Sequence, residues 1–402
     1  MLILNPELCR EPIPINSLFK QRCGHLMGKH LVLVGGGHAH LTVLAHLGRY
    51  VGRGHRATLI SPCRYHYYSG MGPGMLSGLY EPRQVRFNIQ RMVQERGGQF
   101  IEASVTSVDP AAQKFYLDND TQVSYDIASF NIGSVVPTAE LTATDEHIFA
   151  VKPILNLYKA RNLILSHSAK GTTRVLVAGG GPAGIEITAN AWKLLIENGA
   201  TPAVTLVAGN RILRGVPARA RHLAVDSLTS RRIAIFEGVR VHSFENRFAT
   251  LTDGRNIPFD FAFVAVGIRP PALFRESGIP VGEDGGMSVN GYLQSTAHPQ
   301  LFGGGDCISV EGHTLAKVGV HAVRQNPILQ HNIEAALDGG EMKRFAPNPN
   351  YMLIMNMGDG RGIMWKKSLV LNGGLAFLLK DFIDRRFMKR FQVSGELKDF
   401  ST

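Results

Sequence analysis

Two glycine-rich turns, each placed directly after a short apolar strand, constrain the fold of this chain more than any other feature. The first lies in "LVLVGGG" (31–37) and the second in "VLVAGGGPAGIEIT" (175–188). In both cases an apolar helical stretch and then another strand follow the turn. A strand, glycine turn, helix and strand make a βαβ unit, and the helix N-terminus of such a unit attracts a pyrophosphate. The sequence therefore predicts two dinucleotide-binding units of the α/β class.

The two turns differ in how fully they match the GxGxxG spacing. In the first, Gly35 permits the tight turn and Gly37 lets the backbone approach a phosphate, but His40 occupies the third glycine position. The second turn has all three glycines, at Gly179, Gly181 and Gly184. The second unit is thus the more complete of the two.

A third motif lies in "STAHPQLFGGGDCISV" (295–310), where a strand ends at Gly305 and Asp306. An Asp at a glycine turn can accept a hydrogen bond from a polyol hydroxyl while the neighbouring backbone approaches a phosphate. Two further strands also end in glycine, at Gly133 in "FNIGSVVP" and at Gly267 in "FAFVAVGIRP". These strand ends close the two units.

The order of these motifs (GGGHAH, IGS, GGGPAGIE, AVG and GGGD) resembles the pyridine nucleotide–disulfide oxidoreductases, flavoproteins with two dinucleotide-binding domains. Within that family the chain is similar to type II NADH dehydrogenases and to the flavoprotein module fused to selenide, water dikinase. The resemblance covers about residues 30–391. It implies an α/β fold with two Rossmann-like (three-layer ββα) domains. FAD would bind the first domain and NAD(P)H the second, which is inserted into the chain of the first.

The resemblance divides the chain into five segments. They are an N-terminal extension (1–28), an FAD-binding domain in two parts (29–150 and 270–345), an NAD(P)H-binding domain between those parts (151–269), and a C-terminal region with a hairpin and an amphipathic helix (346–402). The first segment contains prolines and mixed charge without a continuous apolar core. It is therefore not predicted to be a secretory signal.

The resemblance also implies roles for the residues that match the motifs of the family. For FAD these are the first turn, the next strand end and the Asp-containing turn: Gly35, Gly36, Gly37, His38, Ser61, Gly133, Gly305 and Asp306. For NAD(P)H they are the second turn and the strand ends beside it: Gly179, Gly181, Pro182, Gly184, Arg211 and Gly267. Glu186 matches the acid of the GxE motif, which lies between nicotinamide and flavin. The alternative for Glu186 is a carboxylate favoured by the helix dipole.

A second predicted helix faces the flavin. "LAKVGVHAVRQNPIL" (315–329) matches the family helix that ends at the pyrimidine edge of the ring. Backbone N–H groups near Lys317 and Val318 would stabilise negative charge on the reduced ring. The dehydrogenases carry a Gln or Glu of this helix at their quinone pocket, and Gln325 is the nearest match. The alternative for Gln325 is an exposed polar position.

Neither unit ends its second strand with the acidic residue that usually holds a ribose 2′-hydroxyl. The first unit has Ser61 at this place, and the second has Ala208. Without the acid, the preference for NADH over NADPH weakens. Arg211 or Arg214 can then meet a 2′-phosphate. Weak binding of any nicotinamide nucleotide is the other alternative.

Cysteine spacing argues against disulfide chemistry. Disulfide reductases of this family use a Cys-x-x-x-x-Cys pair close to the flavin, but Cys63 in "SPCRYHYYSGMGPGML" (61–76) has no partner at that spacing. The four cysteines, at 9, 23, 63 and 307, form no metal pattern, and no metal site is predicted. The absent pair shifts the expected electron acceptor from a protein disulfide to a diffusible molecule.

The C-terminal tail combines an apolar stripe with a basic cluster. In "LAFLLKDFIDRRFMKRF" (375–391), helical spacing puts five apolar side chains on one face: Leu375, Leu378, Leu379, Phe382 and Ile383. This pattern is typical of an interfacial helix on anionic lipid. Packing against the rest of the protein or against a second subunit of a homodimer is the alternative. The predicted location is cytoplasmic, with peripheral contact to the cytoplasmic face of the membrane if the helix binds lipid.

The predicted function is an FAD-dependent NAD(P)H dehydrogenase that passes hydride to FAD and two electrons to a quinone or another small acceptor. One alternative is a flavin-binding accessory or sensor module with low turnover, linked to selenium metabolism through its resemblance to the fused form. Another is a sulfide:quinone oxidoreductase, which needs cysteines that the middle and late parts of the chain lack. Despite a net charge of +11, the sequence has no basic-aromatic module for nucleic acid.

Overall fold

Two parallel β-sheets of five strands each organise the chain. The structure is a computed structural model that describes residues 28–137, 145–167 and 171–398. The first sheet has the strand order Leu301–Gly303, Ile127–Phe130, His30–Val34, Arg56–Ser61 and Gln99–Glu102. The second has the order Ile148–Ala150, Phe261–Val264, Thr172–Ala178, Thr201–Ala208 and Ala234–Glu237. Neighbouring strands in both sheets are parallel, which confirms the predicted α/β class.

The central strands are buried on both faces. Every residue of His30–Val34 is buried, and so are the last five residues of Arg56–Ser61. Strands covered by helices or further sheet on both sides read as near-continuous apolar runs. This is why the strands before the two glycine turns could be identified from the sequence.

The chain leaves the first sheet and later returns to it. Leu301–Gly303 pairs with the first sheet although it follows every strand of the second sheet in the sequence. The second unit is therefore inserted into the first, as predicted. The change of sheet comes slightly before the predicted boundary, because Ile148–Ala150 already pairs with Phe261–Val264. Two backbone hydrogen bonds between Val135 and Arg269, of 2.8 and 2.9 Å, join the two connections between the units.

Before the C-terminal region, the remaining elements of the described chain are two small antiparallel sheets, two strand pairs and the helices. Each unit has a three-stranded antiparallel sheet, formed by Val105–Asp109, Lys114–Leu117 and Gln122–Ser124 in the first and by Val241–Glu245, Phe248–Leu251 and Asn256–Pro258 in the second. Two strand pairs are Tyr65–Tyr67 with Arg86–Asn88 and Met287–Val289 with Ile308–Val310. The α-helices before the tail are Leu41–Ala45, Leu47–Gly52, Gly72–Ser77, Ile89–Gln94, Leu155–His167, Pro182–Glu197, Ala218–Thr229, Leu273–Glu276 and Gly319–Asp338.

The C-terminal region is a small sheet followed by one long helix. The sheet has three antiparallel strands, Leu353–Asn356, Gly362–Lys366 and Leu369–Gly373, where the sequence predicted a two-stranded hairpin. The helix runs from Gly374 to Phe391. Its buried residues are Ala376, Lys380, Asp384, Met388 and Phe391, which recur about every four residues and so share one face. The helix therefore turns a face with two charges toward the protein.

The second glycine turn approaches its helix so closely that it excludes a side chain. A Cβ atom at Gly184 would lie 1.8 Å from the carbonyl oxygen of Gly179. We expect Gly184→Ala to lower the midpoint of thermal unfolding by about 3–8 °C, since overpacking costs about 1–3 kcal/mol. Gly52→Ala is the control, because a Cβ atom there meets nothing within 4 Å. Equal midpoints for the two variants would contradict the close approach.

Candidate functional site

One groove connects the two glycine turns. It has a volume of about 1600 Å³ and is lined by both units and by the C-terminal tail. Sixteen of the predicted site residues line it: Gly35, Gly36, Gly37, His38, Ser61, Gly133, Gly179, Gly181, Pro182, Glu186, Arg211, Gly267, Gly305, Asp306, Lys317 and Val318. The two predicted residues outside its lining are Gly184 and Gln325. Motifs far apart in the sequence thus meet at one place.

Asn131 organises the first turn. Gly35 has a φ of +79°, and a Cβ atom there would lie 2.5 Å from the carbonyl oxygen of Asn131. A Cβ atom at Gly37 would lie 2.2 Å from Asn131 Oδ1. The same Oδ1 accepts a 2.9 Å hydrogen bond from the Ala39 amide, while Nδ2 donates to the Gly304 carbonyl at 2.5 Å. Asn131 was missed in the sequence, although it stands in the "FNIGS" motif, and it ties the first turn to the Asp306 turn.

His40 explains why the first unit needs no third glycine. Its ring lies 2.6 Å from the Gly35 carbonyl through Nδ1 and 2.8 Å from Ser129 Oγ through Nε2. Burial lowers the pKa of His40 to about 4, so the ring is neutral at pH 7. The side chain fills the space beside the strand and makes a hydrogen bond through each nitrogen.

His38, by contrast, has an unpaired nitrogen. His38 Nδ1 lies 3.2 Å from His66 Nε2, and the rings of Tyr68 and Phe387 pack around it. His38 Nε2 is buried and has no hydrogen-bond partner among the described residues. Burial, with a smaller effect of the Lys152 charge, lowers the pKa of His38 to about 4. A neutral, unsatisfied imidazole in the groove fits a site that a polar ligand completes.

Asp306 is held by two residues that the sequence did not reveal. Its Oδ2 accepts a hydrogen bond from Ser134 Oγ at 2.8 Å and forms an ion pair with Lys152 Nζ at 2.7 Å. Lys152 also donates to Ser134 Oγ at 2.6 Å. Lys152 belongs to no sequence motif, so only the fold brings it to this aspartate. The hydroxyl and the ammonium fix the carboxylate at the wall of the groove.

Gln325 supports the same turn from behind. Its Oε1 accepts a 2.7 Å hydrogen bond from the Gly305 amide, and the residue is buried. The alternative of an exposed polar position is therefore wrong. Contact between Gln325 and an electron acceptor stays a prediction, and the observed hydrogen bond gives the side chain a positioning role for the aspartate turn.

The helix Gly319–Asp338 begins at the groove. Val318 is its N-cap residue, in extended conformation. The amides of the first turn have no partner within the helix, so this end carries partial positive charge. The Lys317 ammonium is turned to Asp284, at 2.7 Å, and to the Ile308 carbonyl, at 2.5 Å. Because the Lys317 charge is balanced by Asp284, the helix end is the positive group that faces the groove at this place.

A buried charge cluster joins the second unit to the tail. Glu186 Oε1 accepts a 2.7 Å hydrogen bond from the Asn356 amide. Lys380 Nζ donates to Asp384 Oδ2 at 2.8 Å and to the Gly70 carbonyl at 2.6 Å. Tyr68 donates to Asp384 Oδ1 at 2.9 Å. Glu186 and Lys380 both line the groove.

Burial governs the ionisation of this cluster. It raises the pKa of Glu186 to about 7, although the Lys380 charge and the hydrogen bond from Asn356 act in the opposite direction. Burial and the Asp384 carboxylate raise the pKa of Tyr68 far above its usual value, so the phenol keeps its proton. Glu186 can therefore gain or lose a proton near pH 7, whereas its neighbour Tyr68 cannot.

These features fit the predicted cofactors. Asn131 leaves no room for a side chain at Gly35 or Gly37. Both glycines line the groove, as does Asp306. In the second unit a Cβ atom at Gly181 meets nothing within 4 Å, so the backbone there is free to contact a ligand. Gly181 is also the N-cap of helix Pro182–Glu197, where a pyrophosphate is favoured. The residues present would hold FAD along the first turn and NAD(P)H along the second.

Comparison with known proteins agrees with this geometry. Residues 29–330 match the sequence profile of the family described as pyridine nucleotide-disulphide oxidoreductase. The chain belongs to this family. Membership confirms the predicted oxidoreductase class, together with FAD and NAD(P)H as its cofactors. It also accounts for the two dinucleotide-binding units, the second inserted into the first.

Individual relatives of this family are distant. The chain is 22% identical over 306 residues to demethylphylloquinone reductase NdbB of Synechocystis, covering 73% of this chain and 74% of that protein. The structure of NDH2 from Plasmodium falciparum in complex with NADH has a TM-score of 0.75 and 13% identity, covering 92% of this chain and 98% of that one. The sulfide:quinone oxidoreductase of Aquifex aeolicus has a TM-score of 0.75 and 16% identity, covering 91% and 92%. At such identities the solved structures show the fold alone.

The described cysteines lie apart and differ in environment. Cys307 is fully buried, and burial raises the pKa of its thiol to about 11, which makes it a poor nucleophile. Cys63 lines the groove two residues after Ser61. Among the described residues no group of three or more His, Cys, Asp and Glu side chains is arranged to hold a metal ion.

The raised pKa of Glu186 makes a prediction about stability. The folded protein binds this proton more tightly than the unfolded chain, so stability falls as the pH rises from 4.5, the ordinary pKa of a glutamate side chain, to about 7. Glu186→Gln removes that loss. Between pH 5 and pH 8, the free energy of unfolding of the variant should therefore rise by about 1–3 kcal/mol relative to that of the parent protein. Thermal midpoints across this pH range measure the difference.

Glu197→Gln is the matched control for this measurement, because Glu197 lies on the same helix with its carboxylate exposed. Its stability should follow the parent protein at every pH. A Glu186→Gln variant whose pH curve also runs parallel to the parent would show that Glu186 is already ionised at pH 5.

Proposed function

We propose that this protein oxidises NAD(P)H and passes two electrons, through FAD, to a quinone or another small diffusible acceptor. The observation that carries the proposal is the single groove that runs from the second glycine turn past Glu186 to the first turn and the tail. Hydride acceptance and electron release are chemistry that the bound flavin supplies. The chain supplies binding, orientation and charge.

Each part of the groove has a task in this reaction. The second turn would bind the pyrophosphate of NAD(P)H, and the first turn with Asp306 would bind FAD. Glu186 lines the same groove and can hold a proton near pH 7. The Lys380 ammonium and the N-terminus of helix Gly319–Asp338 bring positive charge to the groove, which would stabilise negative charge arising during reduction.

A quinone is the acceptor class that the relatives favour. The name of the Synechocystis relative is that of a quinone reductase. The described chain offers no cysteine pair to take electrons from the flavin, because Cys63 and Cys307 are separate and Cys307 is buried. The same observation weighs against a sulfide:quinone oxidoreductase. An accessory module with low turnover is less favoured, since the groove is complete from one turn to the other.

Anaerobic reduction tests the proposal directly. Purified protein with FAD bound should lose its flavin absorbance near ~450 nm when NADH or NADPH is added without oxygen. Addition of a menaquinone or ubiquinone analogue should then restore the absorbance. A flavin that neither nucleotide bleaches would exclude the dehydrogenase reaction.

A cysteine variant serves as the control for the electron route. The double variant Cys63→Ser/Cys307→Ala should be reduced and reoxidised at rates within about twofold of the parent, because no thiol takes part. Loss of quinone reduction in this variant, with flavin content unchanged, would instead indicate a thiol intermediate.

We also propose that the C-terminal helix contacts a membrane surface. Its outer face exposes large apolar side chains, with Leu375 at 83%, Leu378 at 61% and Phe382 at 61% exposure. No residue in the described part of the chain covers this stripe, which weighs against packing within the chain as the alternative. Basic residues follow it at Arg385, Arg386, Lys389 and Arg390. No helix in the described part of the chain is long and apolar enough to span a membrane.

The structure changes how membrane contact should be tested. Removing the helix from Phe377 onward would also remove Lys380 and Asp384 from the buried cluster, so loss of binding could reflect misfolding. Substitution of the exposed side chains, Leu375→Ser/Leu378→Ser/Phe382→Ser, avoids this. The variant should bind anionic phosphatidylglycerol vesicles at least about tenfold more weakly in sedimentation.

The control removes exposed apolar side chains elsewhere, as Ile196→Ser/Phe248→Ser, since these residues are 47% and 46% exposed. This control should bind vesicles as the parent does. Equal vesicle binding by the helix variant would leave a second subunit, rather than lipid, as the partner of the stripe.

A further inference from the structure

Three arginines line the groove beside the second glycine turn without a counterion. They are Arg211, Arg214 and Arg240, and all three are exposed. Within the described part of the chain, none of their guanidinium groups forms an ion pair or a hydrogen bond. Most other arginines of this unit are paired, for example Arg221 with Glu237 and Arg174 with Asp260. Arg269 also lines the groove without an ion pair among the described residues, and what sets the other three arginines apart is their common position at the end of strand Thr201–Ala208.

The loop that carries two of these arginines is fixed to the pyrophosphate turn. The Leu213 amide donates a 2.7 Å hydrogen bond to the Gly180 carbonyl. A Cβ atom at Gly180 would lie 2.6 Å from Ala208 Cβ and 3.3 Å from Ile212 Cα. The loop therefore begins at the end of strand Thr201–Ala208, where a Rossmann unit places the adenosine ribose.

The third arginine reaches the same place because the loop starts with glycine. A Cβ atom at Gly209 would lie 2.7 Å from Arg240 Cγ and 2.9 Å from its Nε. The Arg240 side chain therefore lies across Gly209, in space that any other residue would fill. Ala208, buried at the strand end, offers no acid in this region.

The carboxylate on the neighbouring strand is already engaged. Glu237 is the register partner of Ala208. Its Oε1 accepts a 2.6 Å hydrogen bond from the Ile212 amide, and both oxygens lie 3.0 Å from Arg221 Nη2. Glu237 thus braces the loop and has its charge balanced by Arg221. The Arg211 charge also acts on Glu237, but more weakly than Arg221 and without an ion pair.

We propose that Arg211, Arg214 and Arg240 form a subsite for the 2′-phosphate of NADPH, which the protein uses in preference to NADH. The inference rests on the proposed function, in which the second turn binds a pyridine nucleotide, and adds which nucleotide that is. Guanidinium groups bind phosphate through paired hydrogen bonds. The 2′-hydroxyl of NADH, in contrast, would have no carboxylate at the strand end to accept its hydrogen bond, and it carries no negative charge to balance the three arginines.

Nucleotide fragments test the subsite without any turnover. Calorimetry with the FAD-loaded protein should show that 2′,5′-ADP binds about 10–100-fold more tightly than 5′-AMP, as expected for charge-assisted hydrogen bonds. The triple variant Arg211→Gln/Arg214→Gln/Arg240→Gln should lose this difference. Arg219→Gln is the control, because Arg219 is exposed on the next helix and lies outside the groove; it should keep the difference.

Anaerobic bleaching of the flavin separates this inference from the proposed function. The parent should be reduced at lower concentrations of NADPH than of NADH, and the triple variant should lose that advantage. Reduction by NADH at equal or lower concentrations, with no selectivity for 2′,5′-ADP, would overturn the subsite and leave the dehydrogenase intact. Selective binding of 2′,5′-ADP without bleaching by either nucleotide would uphold the subsite and overturn the dehydrogenase.

Discussion

The buried ammonium of Lys380 is the interaction on which the arrangement of the site depends. It donates to Gly70 of the first unit and to Asp384 of its own helix, and its charge also acts on Glu186 of the second unit. Loss of one partner of a buried ion pair costs about 3–5 kcal/mol, because the other charge stays uncompensated. The two units and the tail therefore have to be in place together. The C-terminal helix is part of the groove wall rather than an appendage.

This arrangement partly inverts the usual amphipathic helix, because two charged residues share the buried face with Ala376, Met388 and Phe391. The face with Lys380 and Asp384 is buried, and the face with Leu375 and Phe382 is exposed. A soluble helix normally buries its apolar stripe and exposes its charges. The inversion is stable only because each buried charge finds a partner, and it leaves an apolar surface beside the groove that water does not favour. One face of the helix therefore contributes Lys380 to the groove, and the opposite face presents Leu375 and Phe382 to a lipid or protein partner.

Much of the fold and part of the site could be predicted from the sequence, because a glycine turn after an apolar strand is a local signal. The two turns and the position of Asp306 rest on such signals, whereas the insertion of the second unit was implied by the resemblance to the family. Lys152 and Lys380 could not be found this way, since their partners Asp306 and Gly70 lie more than a hundred residues away. The apolar stripe of the tail is visible in the sequence, but the spacing of Lys380 and Asp384 is also that of an ordinary i,i+4 pair on a helix surface. The face with Lys380 is the buried one because other parts of the chain supply the Gly70 carbonyl and the Glu186 carboxylate to its ammonium group.

The segment after Cys63 shows what replaces a redox-active disulfide in this protein. It folds into the short helix Gly72–Ser77, whose residues are all buried, and the carbonyl of Gly70 just before it receives the Lys380 ammonium. Disulfide reductases bring a second cysteine to the flavin in this region, whereas this chain brings a wall anchored by a cation. A thiol pair accepts electrons, but a backbone carbonyl and an ammonium cannot. In the proposed function, electrons that enter the groove from a pyridine nucleotide would leave with a molecule that diffuses to the flavin. The tail that supplies the cation also lines the groove that such a molecule would have to enter.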